Sequence, residues 1–322
     1  MLLDQSALTL FVCPHCGGAL DGRHDAANAL EALECRSCQT SFPVVNGIPR
    51  FVGSDHYAAS FGMQWNRHRR TQLDSHTGLP ISRDRVFSTT GWAERLEGER
   101  VLEAGSGAGR FTEVLLSTGA HLYSFDYSTA VDANAANHGA AANLTLFQGD
   151  IFHIPLQQHA FDKVLCLGVL QHTPDPERAF KSLAAHVRPG GHLVVDLYPK
   201  RLTAMLSWKY VLRPITTRME RERLYRIIER GVDVFLPLAR PLRAIAGRAG
   251  VRLLPIAEYA HLGLPPAVNH AWAVLDTFDM YSPAHDHPQT QETLRRWFAD
   301  LGFRDVHVAR GPNGIIGRGW RG

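Results

Sequence analysis

Residues 101–111 read VLEAGSGAGRF: apolar and acidic residues lead in as a strand end, Gly105, Gly107 and Gly109 follow at every second position, and Arg110-Phe111-Thr112 opens an amphipathic run. This is the pattern of a strand, a glycine turn and a helix start. Glycines suit such a turn because the backbone must adopt positive φ and admit a ligand with no Cβ in the way, while the free N–H groups of the new helix face that ligand. The loop reads as a cofactor cradle, with a plain tight turn as the alternative. A dinucleotide fingerprint requires G-x-G-x-x-G, and here Arg110 stands where the third glycine would be. Pyrophosphate is therefore disfavoured. Glu103 also opposes a phosphate ligand and suits a cationic one.

The chain has 322 residues with ordinary apolar and charged fractions, more than one average domain and enough to bury a core, so two units are expected. No apolar run is long enough to cross a bilayer, and the N-terminus shows no basic segment followed by an apolar one; a cytoplasmic protein is the expectation. The net charge of +3 is unevenly spread: residues 200–252 carry thirteen Lys and Arg against four Asp and Glu, which leaves the remainder at −6.

Near the N-terminus, Cys13-Pro14-His15-Cys16 and Cys35-Arg36-Ser37-Cys38 are separated by eighteen residues. In a reducing compartment two such knuckles read as a four-cysteine zinc site, since each presents two thiolates to one metal. A redox pair or surface disulfides would be the alternative. Residues 1–53 carry three arginines against five acids, a net −2, whereas a phosphate-binding surface would be basic. A structural ribbon stabilised by its metal follows, with no nucleic-acid partner expected. Residues 54–98 form a polar connector holding Phe61-Gly62-Met63-Gln64-Trp65 and the run Arg67-His68-Arg69-Arg70, read either as a solvated helix face or as part of a lid.

From residue 100 the pattern alternates strand and helix, the rhythm of a parallel sheet with crossover helices. A strand at 122–126 (LYSFD) ends in Asp126, seventeen residues beyond Gly109. A carboxylate there can accept both ribose hydroxyls of an adenosine, or can cap the next helix together with Ser128. A third strand at 144–147 is followed by Gln148-Gly149-Asp150-Ile151. The fourth, at 161–167, runs into Gly168-Val169-Leu170-Gln171-His172-Thr173-Pro174-Asp175-Pro176, and Arg188-Pro189-Gly190-Gly191 turns into a fifth at 193–197. Residues 199–288 depart from this rhythm: helical stretches at 219–235 and 241–249 are interrupted by Pro214, Pro237, Pro241 and Pro255, and 275–283 (LDTFDMYSP) read as a polar, aromatic, proline-broken loop. A helix at 290–301 and strands at 305–309 and 314–320 close the chain.

The E-x-G-x-G-x-G loop, the FDxVxxxxVLxHxxDP-like stretch and the R-P-G-G turn together resemble class I S-adenosylmethionine (SAM) dependent methyltransferases, in particular the methyltransferase type 11 group that includes quinone-biosynthesis methylases. The N-terminal cysteine module, with Gly17-Gly18 and residues 41–50, resembles the zinc ribbon of the methyltransferase-activator family. The resemblance implies an α/β fold: a seven-stranded Rossmann-like sheet (99–199, completed by 289–322), with a zinc ribbon (1–53), an N-terminal lid (54–98) and a helical cap insertion for the acceptor (200–288). It implies SAM held by Glu103, Gly105, Ser106, Gly107, Gly109, Asp126, Tyr127, Asp150, Ile151 and Gly168, with Gln64 or Arg83 at the methionine carboxylate, and zinc held by Cys13, Cys16, Cys35 and Cys38.

Methyl transfer is an in-line displacement at a sulfonium, so positioning the acceptor is the main task, and a histidine at a strand's C-terminal end can serve as base. His172 stands there; fixing its loop is the alternative role. An insertion leaving the fifth strand at Tyr198 starts at the edge where open α/β sheets bind ligands, so Tyr198, Asp279, Tyr281, His285 and His287 are candidate acceptor residues. The leading expectation is an enzyme methylating the oxygen or nitrogen of a small or medium-sized metabolite. An RNA or protein methylase gripping its substrate through ribbon and insertion is the second, and a SAM-binding partner subunit without activity the third. The basic, apolar-interleaved segment 200–252 also admits peripheral contact with an anionic membrane.

Overall fold

A computed structural model describes residues 8–53, 57–200 and 207–322. The start of the ribbon, 54–56 of the connector and 201–206 of the insertion lie outside the described residues.

The N-terminal module is a four-stranded antiparallel sheet in chain order, β1 (Leu20–His24), β2 (Leu30–Cys35), β3 (Ser41–Val45) and β4 (Ile48–Pro49). Asn46 and Gly47 both take positive φ between β3 and β4, the Asn-Gly turn that matches strand twist. This sheet docks on the larger domain through aromatic rings. Phe51 stacks on Phe11 at 5.6 Å and meets Phe147 edge-on, while its N–H donates to the Gln148 carbonyl.

The connector contributes α1 (Ala59–Arg67), α2 (Asp74–Thr77) and α3 (Ile81–Thr90). The main sheet then begins: β5 (Arg100–Ala104), α4 (Arg110–Leu116), β6 (His121–Asp126), α5 (Ala130–His138), β7 (Leu144–Gln148), β8 (Phe161–Cys166), α6 (Pro176–His186) and β9 (Val187–Leu197). The cap follows as α7 (Trp208–Thr216), α8 (Arg221–Val251) and α9 (Pro266–Tyr281); α10 (Gln291–Asp300), β10 (Phe303–Arg310) and β11 (Ile315–Arg321) end the chain. Strand order is β7-β6-β5-β8-β9-β11-β10, with the first five strands parallel and β11 antiparallel to both neighbours. Consecutive residues of the central strands are buried on both faces: Leu102, Phe125 and Phe161 belong to one core, Val101, Leu122 and Leu165 to the other. That is why these strands read as apolar runs.

Two expectations for the insertion are corrected. Pro214, Pro237 and Pro241 do not end a helix: Pro214 lies inside α7, α8 runs through the other two, and its backbone leaves helical geometry only at Ala246 and Gly247. Leu224, Tyr225, Ile228, Val232 and Ala239 pack against Ala273, Val274 and Phe278 of α9. Burying such side chains stabilises by about 1.5–3 kcal/mol each, enough to offset the ~3 kcal/mol of an internal proline. Most of 275–283 is likewise not a loop but the end of α9, which starts with Pro266 in its first turn and stops before Pro283.

Candidate active site

A cavity of about 280 Å³ opens at the carboxyl ends of the parallel strands and has three walls. The sheet provides the loops after β5, β6 and β8, the connector provides Tyr57, Phe61, Trp65, Gln72 and Arg85, and the cap provides Tyr259, Asp276, Asp279 and Met280.

At the glycine turn, Gly105, Gly107 and Gly109 all have positive φ. A Cβ on Gly105 would lie 2.2 Å from Val169 Cγ2, so the turn also admits β8's loop alongside it. Gly105, Ser106 and Gly107 line the cavity, whereas Gly109 caps α4 beside Asn134. Asp126 lines it from the end of β6: one carboxylate oxygen accepts from the Ser128 N–H and hydroxyl, the other from the Gly107 N–H at 3.0 Å. The two Ser128 donors occupy both lone pairs of the first oxygen. Asp126 does not cap α5, whose N-cap is Thr129 with no side-chain cap bond. Tyr127, Ile151 and Gly168 also line the cavity. Asp150 is turned to Phe152 N–H and His153 instead.

Glu103 lies behind the loop and not along the cavity. Its Oε2 accepts from Thr112 and Ser124 at 2.6 and 2.7 Å, its Oε1 is buried with no partner, and burial raises its pKa to about 7. Gln64 is fully buried with both amide atoms unpartnered, and it is not part of the lining. Arg83 pairs with Glu94 at the surface. The connector arginine that reaches the cavity is Arg85, paired with buried Asp196 at 2.7 Å, with its Nε buried and unpartnered. Arg110 joins it, bonded to Gln72 at 2.8 Å and Ser82 at 3.2 Å, and burial lowers its pKa to about 10. Gln72 in turn donates to Asp276, whose other oxygen accepts from Trp272 and Tyr259. Tyr57 faces Tyr127 with ring centroids 5.0 Å apart. Nothing in the local pattern singled out Tyr57, Gln72, Arg85, Asp276 or Tyr259, because their partners are distant in sequence.

His172 lines the cavity from the short turn after β8. Its Nδ1 donates to the His285 carbonyl at 3.1 Å, its Nε2 is buried without a partner, and burial lowers its pKa. Tyr198 and Asp279 line the same region, 3.4 Å from hydroxyl to carboxylate, with the Tyr198 ring edge-on to His172 at 5.4 Å. Tyr281 points elsewhere, donating to Pro255 O within the cap core; His285 and His287 stack on each other outside the lining.

In the ribbon, all four cysteine Sγ atoms lie within 4.8 Å of one another, with Cys13–Cys38 at 3.6 Å and Cys16–Cys35 at 3.5 Å. A tetrahedron with metal–sulfur bonds of about 2.3 Å has edges of about 3.8 Å. The donor set therefore fits a tetrahedral metal, and the thiols are free of disulfides.

A methyltransferase-domain family model matches residues 102–195. The ubiquinone biosynthesis O-methyltransferase of Coxiella burnetii is 30% identical over 165 residues, covering 50% of this chain and 67% of that protein. The chain belongs to the SAM-dependent methyltransferases. The ubiquinone biosynthesis O-methyltransferase of Xylella fastidiosa is 27% identical to this methyltransferase over 204 residues, 62% of this chain and 77% of the relative. Among solved structures, a SAM-dependent methyltransferase from Thermotoga maritima covers 83% of the methyltransferase and 99% of its own chain, at a TM-score of 0.45 and 13% identity. The cavity fits SAM by its own features: the positive-φ glycines Gly105 and Gly107 along its lining, a carboxylate at the end of β6, and a buried guanidinium nitrogen lacking an acceptor.

Proposed function

We propose that this methyltransferase methylates a hydroxyl of a small or medium-sized metabolite, with His172 as the base. His172 is the observation that carries the reading. Its Nδ1–H is committed to a carbonyl, so the lone pair resides on Nε2, the one ring nitrogen left without a partner. The lowered pKa keeps the ring neutral at neutral pH, able to take a hydroxyl proton as the oxygen attacks. Tyr198 and Asp279 orient the acceptor, and the His285 carbonyl fixes the imidazole. Bound SAM supplies an electrophilic methyl group. Asp126 would hold its ribose, Tyr127 and Ile151 its base, and Arg85 with Gln72 and Arg110 its carboxylate. The relatives named above are O-methyltransferases, which supports an oxygen acceptor.

Cys13, Cys16, Cys35 and Cys38 would hold one structural zinc, and their reduced state suits the cytoplasm. A small acceptor is favoured over RNA because the ribbon's three arginines, Arg23, Arg36 and Arg50, are all ion-paired with carboxylates. Labelled SAM offered to hydroxyl-bearing metabolites tests the reading. His172→Gln should lower kcat by about 10²- to 10⁴-fold with SAM affinity kept. The wild-type rate should rise with pH through a midpoint below the usual imidazole value and then level off, and the variant should lack that limb. Undiminished turnover by His172→Gln, or label recovered only on nitrogen, would refute it.

A further inference from the structure

Helices α7 and α8 turn an apolar face to solvent. α7 buries none of its residues and exposes Trp208, Val211 and Ile215, spaced i, i+3, i+7. On α8, Ile227, Val234, Leu238 and Ile245 are exposed at i, i+7, i+11, i+18, positions that fall within about 20° of one line at 100° per residue. With Leu253, these make eight of the ten large apolar side chains exposed among the described residues. Such concentration marks an interaction surface rather than scatter. The opposite side of α8 is already covered by α9.

The charge of this region identifies the partner. Residues 207–253 hold eleven Lys and Arg against four Asp and Glu, and exposed Arg223 and Arg230 flank the apolar line on one side. A second copy docked by symmetry would set two positive faces together. Nucleic acid would meet a ridge of isoleucine, valine and leucine where phosphates need cations. A bilayer of anionic lipid satisfies both halves of the surface, the apolar line entering the boundary between headgroups and acyl chains and the arginines meeting the headgroups. We propose that the cap is a peripheral docking face for anionic membranes. On its inner side the cap carries Asp279 and Met280 into the cavity, so a docked cap stands between the bilayer and the acceptor site.

Co-sedimentation of the full chain with phosphatidylcholine vesicles, alone or with about one-third phosphatidylglycerol, tests the face without any turnover. Binding is expected on the anionic vesicles at low salt and should weaken as salt rises. Val234→Glu with Leu238→Glu should cut partitioning at least about tenfold. Arg223→Glu with Arg230→Glu should also cut it, and circular dichroism and SAM binding should be unchanged in both pairs. The proposal is overturned by no anionic binding at low salt, by equal binding to neutral vesicles, or by a Val234/Leu238 pair that binds as wild type. It is equally overturned if that pair dissolves a homodimer in sedimentation velocity while the wild type ignores vesicles.

Discussion

Arg83 and Arg85 stand two positions apart in α3 and so point in different directions. Arg83 meets Glu94 across an exposed surface, and such pairs contribute about 0–1 kcal/mol. Arg85 covers Asp196, which is 1% exposed, and borders the cavity. Arg83→Ala should therefore leave both melting and SAM affinity nearly unchanged. Arg85→Ala leaves a buried carboxylate without its cation, a loss of about 3–5 kcal/mol, and should weaken SAM binding as well. Thermal melts and calorimetry on the two variants separate them. Asp126→Ala should weaken SAM binding about tenfold or more, one charge-assisted bond being worth about 1.5–3 kcal/mol. The place of Asp126 along the cavity was legible because a strand-terminal acid at a fixed distance from a glycine turn is a local pattern. Arg85 was not, because its partner Asp196 lies more than a hundred residues away.

The ribbon and the sheet meet at one patch. Phe51 packs among Phe11, Phe42 and Phe147, and Arg50 pairs with Asp132 while donating to Gln148 at the end of β7. Phe51→Ala should cost about 3–5 kcal/mol by the cavity it leaves, measured by denaturant unfolding. Removing metal with a chelator, or introducing Cys35→Ser, should melt the ribbon and release zinc in a metal assay; a folded ribbon without metal would contradict the zinc assignment. The two C-x-x-C knuckles were readable because metal ligation imposes short spacings. The docking patch was not, since its aromatic rings come from segments spaced without period. The length of α8 was hidden for a related reason: two prolines are strong local signals, and only the packing of α9 along the opposite face outweighs them.

Across the whole molecule, buried histidines set the response to acid. His68 bonds Tyr225 at 2.7 Å and so ties the connector to the cap, while His192 lies between Trp92 and Trp320; burial lowers both pKa values to about 4. Each is neutral in the fold and protonates in the unfolded chain below about 6.5, so its stabilisation is present above that pH and is lost as pH falls from there towards 4. Glu103 and Asp276, raised to about 7 and 6, act in the opposite sense, destabilising the fold as pH rises through the same range. The comparison of wild type with His192→Phe isolates one group: the stability lost between pH 7 and about 4.5 should be smaller in the variant, and equal slopes would assign the acid response elsewhere. The parallel strands, by contrast, were legible from the alternation of strands and helices, because each is buried on both sides and leaves a short apolar run; their order in the sheet was not.

One contiguous insert between β9 and α10 carries the whole cap wall, including Asp279 and Met280, while the glycine turn and Asp126 come from the sheet. The chain thus leaves the core and returns to it at a single pair of neighbouring points, where the Gln289 N–H donates to the Tyr198 carbonyl and the Lys200 N–H to the Gln289 carbonyl. Those two bonds form a ready-made splice junction: a recombinant bearing a foreign insert of the same span would keep the glycine turn and Asp126, lose the Asp276 partner of Gln72, and inherit a new choice of acceptor.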